Sequence, residues 1–346
     1  MTITLNNIGM IREANVKVDG LTVIAGENDT GKSTLGKALL AIIQADNIAK
    51  RKTIYNAEKE ILATRLNLLF DGNITADGTI SLFDKDNNEI AFAHIVKRNF
   101  VQEFRRGNNE ENRFFFDATF IQSPIVFDMA DFFNSIGRMK EQQKYDYDLD
   151  FDISYPYILW NLFDKISKQN PFPKSKTQQK VSEAIEAIIK GKFKLENGQF
   201  LFYKSLQDTS IKIEMANTAF GIKSFGLLQL LNENGFFHQR YCLILDEPEV
   251  HLHPSWQIKY AKIIVELVKN GIYVIVNSHS PYMVEALQRY SEIENLTNKT
   301  NFYFAENGVI TQIEDSNSKT LARTFEKLSE PFNVFEEMES EKFQNG

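Results

Sequence analysis

The sequence predicts an α/β fold: a strand–loop–helix unit near the N-terminus, two further buried strands late in the chain, an antiparallel β-subdomain and a helical insertion. Three observations carry that reading. Leu21-Thr22-Val23-Ile24 is a β-rich run that stops at Gly26, and Leu35, Leu39, Ala41, Ile42 and Ile43 then recur at helical spacing. Residues 241–245 and 272–276 are short apolar runs separated by a helical stretch, as buried strands joined by a helix require. Residues 80–83 and 90–95 flank Asp84-Lys85-Asp86-Asn87-Asn88, a hairpin signal.

Taken in order, residues 2–5, 14–18 and 21–25 read as strands, 34–48 and 57–69 as helices, and 114–121 as a further strand. Residues 126–200 differ in character. Asp146, Asp148, Asp150 and Asp152 are interleaved with aromatic residues, Pro171-Phe172-Pro173 breaks the chain, and 157–167 reads as a helix. Val181, Ala184, Ile185, Ile188 and Ile189 mark one face of another helix. No sustained heptads appear, which argues against a long coiled-coil arm. Strands are expected near 201–203 and 211–215, a helix at 224–231, and a helix at 256–269 closed by Asn270-Gly271. The division expected is 1–125 and 201–315 as two parts of one domain, 126–200 as the helical insertion, and 316–346 as an acidic helical tail with Glu336, Glu337, Glu339 and Glu341.

With 346 residues, 43% apolar and 25% charged, the chain has material for a sizeable core. A net charge of −7 argues against a protein that coats nucleic acid everywhere but permits a local basic patch. Residues 161–195 hold such a candidate, with eight lysines against three acids; Arg98, Arg105 and Arg106 form a weaker group. The single cysteine, Cys242, excludes an intrachain disulfide framework and fits a reducing cytoplasm. No secretory leader is visible, and the apolar runs are strand-length, well short of the roughly 20 residues of a membrane helix.

Gly26-Glu27-Asn28-Asp29-Thr30-Gly31-Lys32-Ser33 fits G-x-x-x-x-G-K-[ST], between a strand and a helix. Glycines permit sharp turns and close backbone approach, so that N–H groups and a helix N-terminus surround phosphates. Lys32 supplies a point charge and the Ser33 hydroxyl a magnesium ligand; Gly26, Asn28, Gly31 and Thr34 complete the expected contacts with ATP. Leu243-Ile244-Leu245-Asp246-Glu247-Pro248 is an apolar strand ending in two carboxylates. Asp246 is expected to hold Mg2+, and Glu247 to act as general base toward water. His279, in Asn277-Ser278-His279-Ser280-Pro281 after the next strand, is placed to sense the γ-phosphate.

A phosphate loop, a strand ending Leu-Asp-Glu-Pro and a Ser-His after the following strand resemble the ATP-binding-cassette (ABC) superfamily. Residues 26–34 and Asp246-Glu247-Pro248-Glu249-Val250-His251-Leu252-His253-Pro254 resemble in particular its SMC-like branch. That branch contains RecF-type proteins, the OLD (overcoming lysogenization defect) ATPases and the Septu-type antiphage ATPases. The resemblance implies a P-loop ABC-type ATPase head. It also implies a signature segment contacting the partner subunit's γ-phosphate. Gly221-Ile222-Lys223-Ser224-Phe225-Gly226 fits by position, with Ser224 and Gly226 as ligands, although the usual Ser-Gly-Gly-Gln/Glu is here Ser-Phe-Gly-Leu. Gln122, in Phe120-Ile121-Gln122-Ser123-Pro124, matches the family's glutamine that senses magnesium and water. Glu249, His251 and His253 fall on the family's cross-subunit loop; the i, i+2 histidines lack the partners of a zinc site.

The same resemblance implies a homodimer, or a higher homo-oligomer, closed around ATP. OLD nucleases carry a second catalytic domain after the ATPase, which the roughly 30 residues past the last expected strand are too few to supply, and no His-Asn-His nuclease pattern appears. The expectation is therefore a cytoplasmic, ATP-hydrolysing ATPase that regulates or scaffolds a separate effector such as a nuclease, in a Septu-like antiphage setting. The alternatives are a RecF-like DNA-repair clamp, with DNA contact through 161–195, and a transporter's nucleotide-binding subunit, against which the signature and the 249–253 loop argue.

Overall fold

A computed structural model describes residues 1–51, 58–70, 72, 74, 77–97, 100–106, 115–143, 155–168, 175–207, 209–238 and 240–344, with the backbone alone at 50–51, 142–143 and 331–344. The expected acidic stretch at 146–152, Pro171-Phe172-Pro173, Lys174 and Arg98 lie outside the described residues.

The first half contributes β1 (Thr2–Ile8), β2 (Ile11–Lys17), β3 (Leu21–Ala25), α1 (Lys32–Arg51), α2 (Glu58–Phe70), β4 (Asp77–Phe83), β5 (Glu89–Val96), β6 (Phe100–Arg106) and β7 (Asp117–Ile121). The insertion carries α3 (Ala130–Gln143), α4 (Tyr157–Ser167) and α5 (Lys176–Ile189), then β8 (Gly191–Glu196), β9 (Gln199–Leu206) and β10 (Thr209–Glu214). The last part comprises α6 (Phe220–Glu233), β11 (Tyr241–Asp246), α7 (Pro254–Lys269), β12 (Tyr273–Ser278), α8 (Pro281–Ile293), β13 (Thr300–Glu306), β14 (Val309–Thr311) and α9 (Asn317–Gln344).

One 11-stranded sheet runs β6-β5-β4-β1-β2-β14-β13-β3-β12-β11-β7. The strands from β13 to β7 are mutually parallel, whereas β6 to β2 form an antiparallel meander joined to them through a parallel β2–β14 contact. Composition follows this division. Strands β3 and β11 are buried at every position and read as unbroken apolar runs, whereas β5 alternates buried and half-buried residues. Alternate residues of the parallel strands enter two cores. Leu243, Leu245, Val274 and Val276 face one; Cys242, Ile244 and Ile275 face the other. Helix α1 lies close on the second face because Gly36 has no side chain. A Cβ there would sit 2.8 Å from Ile244 and 2.9 Å from Phe120.

Two boundaries depart from the sequence reading. The tract 191–200, expected within the helical insertion, is strand: β8 and β9 form a hairpin about Asn197-Gly198, with φ of 51° and 78°. An Asn-Gly turn is itself a hairpin signal, and with β10 the pair makes a separate three-stranded antiparallel sheet. Helix α6 begins at Phe220, one turn earlier than the expected 224. Strands β6, β13 and β14 were not anticipated; β14 has three residues, too few for any periodicity to register.

The basic segment 161–195 is partly tied into the fold, with Lys176, Lys180 and Lys190 left exposed. Lys165 is 5% exposed, and its Nζ donates to Asp117 Oδ2 (2.7 Å), Ala118 O (2.7 Å) and Thr119 Oγ1 (2.8 Å) on β7. Burial pushes its ammonium pKa down, against the pull of Asp117. Lys168 pairs with Asp164, Lys192 bridges Glu186 and Glu233, and Lys194 lies over the Tyr203 ring. Arg105 pairs with Glu89 and Glu103, and Arg106 with Asp46 and Glu58. Among the described residues, no helix is long and apolar enough to cross a membrane.

Candidate nucleotide site

Register alone gathers the candidate residues. Ser278 lies opposite Ala25, Asp246 opposite Asn277, and Leu245 opposite Ile121. The residues leaving the carboxyl ends of β3, β12, β11 and β7 are therefore neighbours along one sheet edge: Gly26, His279, Glu247 and Gln122. Open parallel sheets bind ligands at that edge.

The loop after β3 turns through positive φ at Gly26 (157°), Asp29 (64°) and Gly31 (92°). Space forbids side chains at both glycines: a Cβ at Gly26 would lie 2.3 Å from Ala305 O, and one at Gly31 2.7 Å from Ile11 Cγ1. Lys32 opens α1, so its ammonium and the positive helix end face the same space. The side chain is buried, and Nζ donates to Gly26 O (2.9 Å) and Glu27 O (2.5 Å). Desolvation lowers its pKa, opposed by Glu247 and Asp246. Asn28 stands exposed at the loop tip; Thr34 is half-buried, its methyl directed at Gly9.

Lys32-Ser33 and Asp246, remote in sequence, meet here. Ser33 Oγ donates to Asp246 Oδ1 at 2.9 Å. The same oxygen accepts from Asn277 Nδ2 at 2.8 Å, and Asn277 Nδ2 also reaches Lys32 O at 3.2 Å. Burial raises the Asp246 pKa, partly offset by the Asn277 and Ser33 hydrogen bonds. Asn277 was not among the expected site residues. Its signal was a polar side chain closing an apolar strand, and it is fully buried.

Glu247 leaves β11 in the left-handed region (φ 50°), held by its N–H donating to Asn277 O at 2.9 Å. This turn sets its carboxylate, about one-third exposed, 3.4 Å from His279 Nδ1. A cavity of ≈ 450 Å³ is lined by Ser33, Gln122, Ser123, Asp246 and Glu247, with Ile125, Leu159 and Val250 as its apolar wall. Hydroxyl, carboxylate and amide oxygens converging on one space form a hard-donor set suited to Mg2+.

The signature and cross-subunit residues are arranged differently from expectation. Because α6 starts at Phe220, Ser224 sits in its second turn rather than at the helix start, and its hydroxyl donates to Phe220 O at 3.1 Å. Gly226 faces the core: a Cβ there would come within 2.6 Å of the Phe193 ring, so packing accounts for this glycine. Glu249 turns inward and is buried, its Oε1 accepting from Ser278 Oγ and His279 N–H, both at 2.8 Å. His253 caps α7, its Nδ1 accepting from the Ser255 N–H at 3.3 Å, and the His251 ring packs at a tilt of 43° against Phe220, with centroids 4.9 Å apart.

A family model described as an AAA ATPase domain matches residues 134–284, from within α3 into α8 and across Asp246, Glu247 and His279. Among curated proteins, the Septu protein PtuA of Bacillus thuringiensis is 37% identical over 57 residues, covering 16% of this chain and 14% of that relative. Among solved structures, the SMC head domain from Thermotoga maritima aligns with a TM-score of 0.45 and 13% identity, covering 90% of this chain and 96% of that one. An ATP-binding cassette of an ABC transporter, in its ADP conformation, aligns with a TM-score of 0.42 and 13% identity, covering 93% and 95%. The segment matched by the AAA ATPase domain model carries Asp246, Glu247 and His279 and is joined to the phosphate loop by the Ser33–Asp246 hydrogen bond, so over residues 134–284 the chain is similar to AAA-type ATPases.

Proposed function

We propose that two copies of this chain close around ATP and Mg2+, and that the cycle of closure and hydrolysis controls a separate effector protein, a nuclease by preference, in cytoplasmic antiphage defence. The observation that carries the catalytic part is the Ser33–Asp246 hydrogen bond beside Glu247. Lys32, the loop N–H groups and the start of α1 bind and orient the phosphates; Asn28 and Thr34 flank them. Ser33, Asp246 and Gln122 would hold Mg2+, which supplies charge neutralisation on the phosphate oxygens. Glu247 accepts a proton from the attacking water, and His279 donates toward the terminal phosphate. The exposed start of α6, with Ser224 behind it, faces the partner's nucleotide; Gly226 supports this helix from the core side.

Closure follows from ATP touching both copies only in the closed pair, which shifts the population toward it. The effector role is supported by the short likeness to Septu PtuA and by the sequence pattern of the ATPase segments. The RecF-like clamp keeps the exposed Lys176, Lys180 and Lys190 as its candidate DNA contact, since Lys165, Lys168, Lys192 and Lys194 are engaged within the fold.

Glu247→Gln tests the reading. The variant should bind ATP, lose about 10²–10⁴-fold in hydrolysis, and accumulate as a larger species with ATP in light scattering. Hydrolysis at the parent rate removes Glu247 as base, and an unchanged mass with trapped ATP removes the closed pair.

A further inference from the structure

Glu249 is as buried as Asp246, its side chain 3% exposed, and its carboxylate is bonded to the turn after β12. Its Oε1 holds the exit of β12 through the Ser278 hydroxyl and the His279 N–H. Ser278 Oγ in turn accepts the Ser280 N–H at 3.1 Å, and Ser280 Oγ donates to Gln257 on α7 at 2.5 Å. A single carboxylate therefore ties the turn after β11 to the turn after β12, the two turns that carry Glu247 and His279. The imidazole stands between two acids: Nδ1 is 3.4 Å from Oε1 of Glu247 and 3.4 Å from Oε1 of Glu249. Among the described residues neither His279 Nδ1 nor Glu249 Oε2 has a hydrogen-bond partner, though both are buried.

A buried carboxylate is costly, and burial does push the Glu249 pKa up. A neutral amide would accept the same two hydrogen bonds at Oε1 with less desolvation. What only the carboxylate adds is negative charge beside the ring, favouring a proton on Nδ1 and thereby fixing which nitrogen is turned inward.

We propose that Glu249 is a positioning residue for discrimination between nucleoside triphosphate and diphosphate: it holds the Ser278-His279 turn and keeps the His279 Nδ1–H inward, so that Nε2 serves the terminal phosphate. This rests on the nucleotide reading of the site. It also separates Glu249 from the cross-subunit contacts expected of its loop, because its effect is exerted within one chain.

Glu249→Gln is the test, read by calorimetry with Mg2+ and either ADP or the non-hydrolysable analogue AMP-PNP, alongside His279→Ala and the double variant. The parent should bind both nucleotides. Glu249→Gln should leave ADP affinity unchanged and weaken AMP-PNP by about tenfold, the scale of one charge-assisted contact. In the His279→Ala background, Glu249→Gln should add less than about twofold, as expected when one residue acts through another. Equal loss of both nucleotides would show a merely structural carboxylate and overturn the proposal, as would no loss of either, or independent effects in the double variant. If the parent takes up neither nucleotide, the reading of the site itself falls, and this inference with it.

Discussion

Asn277→Asp exchanges one NH2 group for oxygen at a fully buried position, with no change of shape. In the parent, Nδ2 donates at 2.8 Å to Asp246 Oδ1 and at 3.2 Å to Lys32 O. The exchange removes both donors and sets a second carboxyl against Asp246. Loss of the hydrogen bond to Lys32 O costs about 1 kcal/mol at any pH, whereas the one to Asp246 can be replaced by a carboxyl O–H while the pair holds a proton. Two carboxylates about 4 Å apart repel by about 4 kcal/mol at an effective dielectric near 20, which adds to the burial that already raises Asp246 and pushes one of the pair further above the ordinary carboxylate range. The folded state then binds a proton that the unfolded state has released, so stability falls as pH rises from the unfolded value toward the raised folded one. The electrostatic part is therefore larger at pH 8 than at pH 5.5 and approaches about 4 kcal/mol once both carboxyls are ionised. Urea unfolding with chelator and no nucleotide, run on parent and variant at both pH values, measures the difference. A destabilisation that is the same at pH 5.5 and pH 8 would refute the argument, because it would mean that the new carboxyl does not face Asp246.

Lys165→Met should destabilise the protein by about 3 kcal/mol, the lower end for a broken buried ion pair because Asp117 is 31% exposed. Adding Asp117→Asn should restore part of that in urea titrations, and no recovery would count against the pair. Gly226→Ala should cost about 1–3 kcal/mol by overpacking against Phe193, and Phe193→Leu should relieve it. If Gly226→Ala instead leaves the unfolding midpoint unchanged while abolishing ATP-dependent association, Gly226 touches nucleotide after all.

The parallel half of the fold was legible because both of its faces are buried. Under that condition β3, β11 and β12 must be continuous apolar runs, and the polar residues ending them stand out. Lys32, Ser33, Asp246 and Glu247 could be named from local pattern for this reason. Asn277 escaped notice because it acts on another side chain rather than on a ligand, and such a role has no spacing of its own. Gly226 was assigned to ligand contact because a glycine in a helix start has two explanations, and only the Phe193 ring, 33 positions away in the chain, decides between them. The lysines of 161–195 were counted as one field because sequence shows charge but not pairing. Lys165 finds Asp117 across 48 positions, beyond any local rule. The start of α6 slipped by a turn because Ala219, its N-cap, makes no side-chain cap bond and so leaves no capping signal.

The ammonium of Lys165 beneath β7 bears on how this protein can be recombined with its relatives. Residues 155–168 cannot be exchanged as a self-contained cassette, since the helix and the strand share one buried charge, and Thr119, which accepts from it, is hydrogen-bonded in turn to the Tyr241 hydroxyl on β11. A chimera that imports a foreign helix here must import Asp117, Thr119 and Tyr241 with it or leave an acid stranded at the sheet edge. The natural crossover point lies elsewhere, at the two-residue Asn197-Gly198 turn of the small three-stranded sheet.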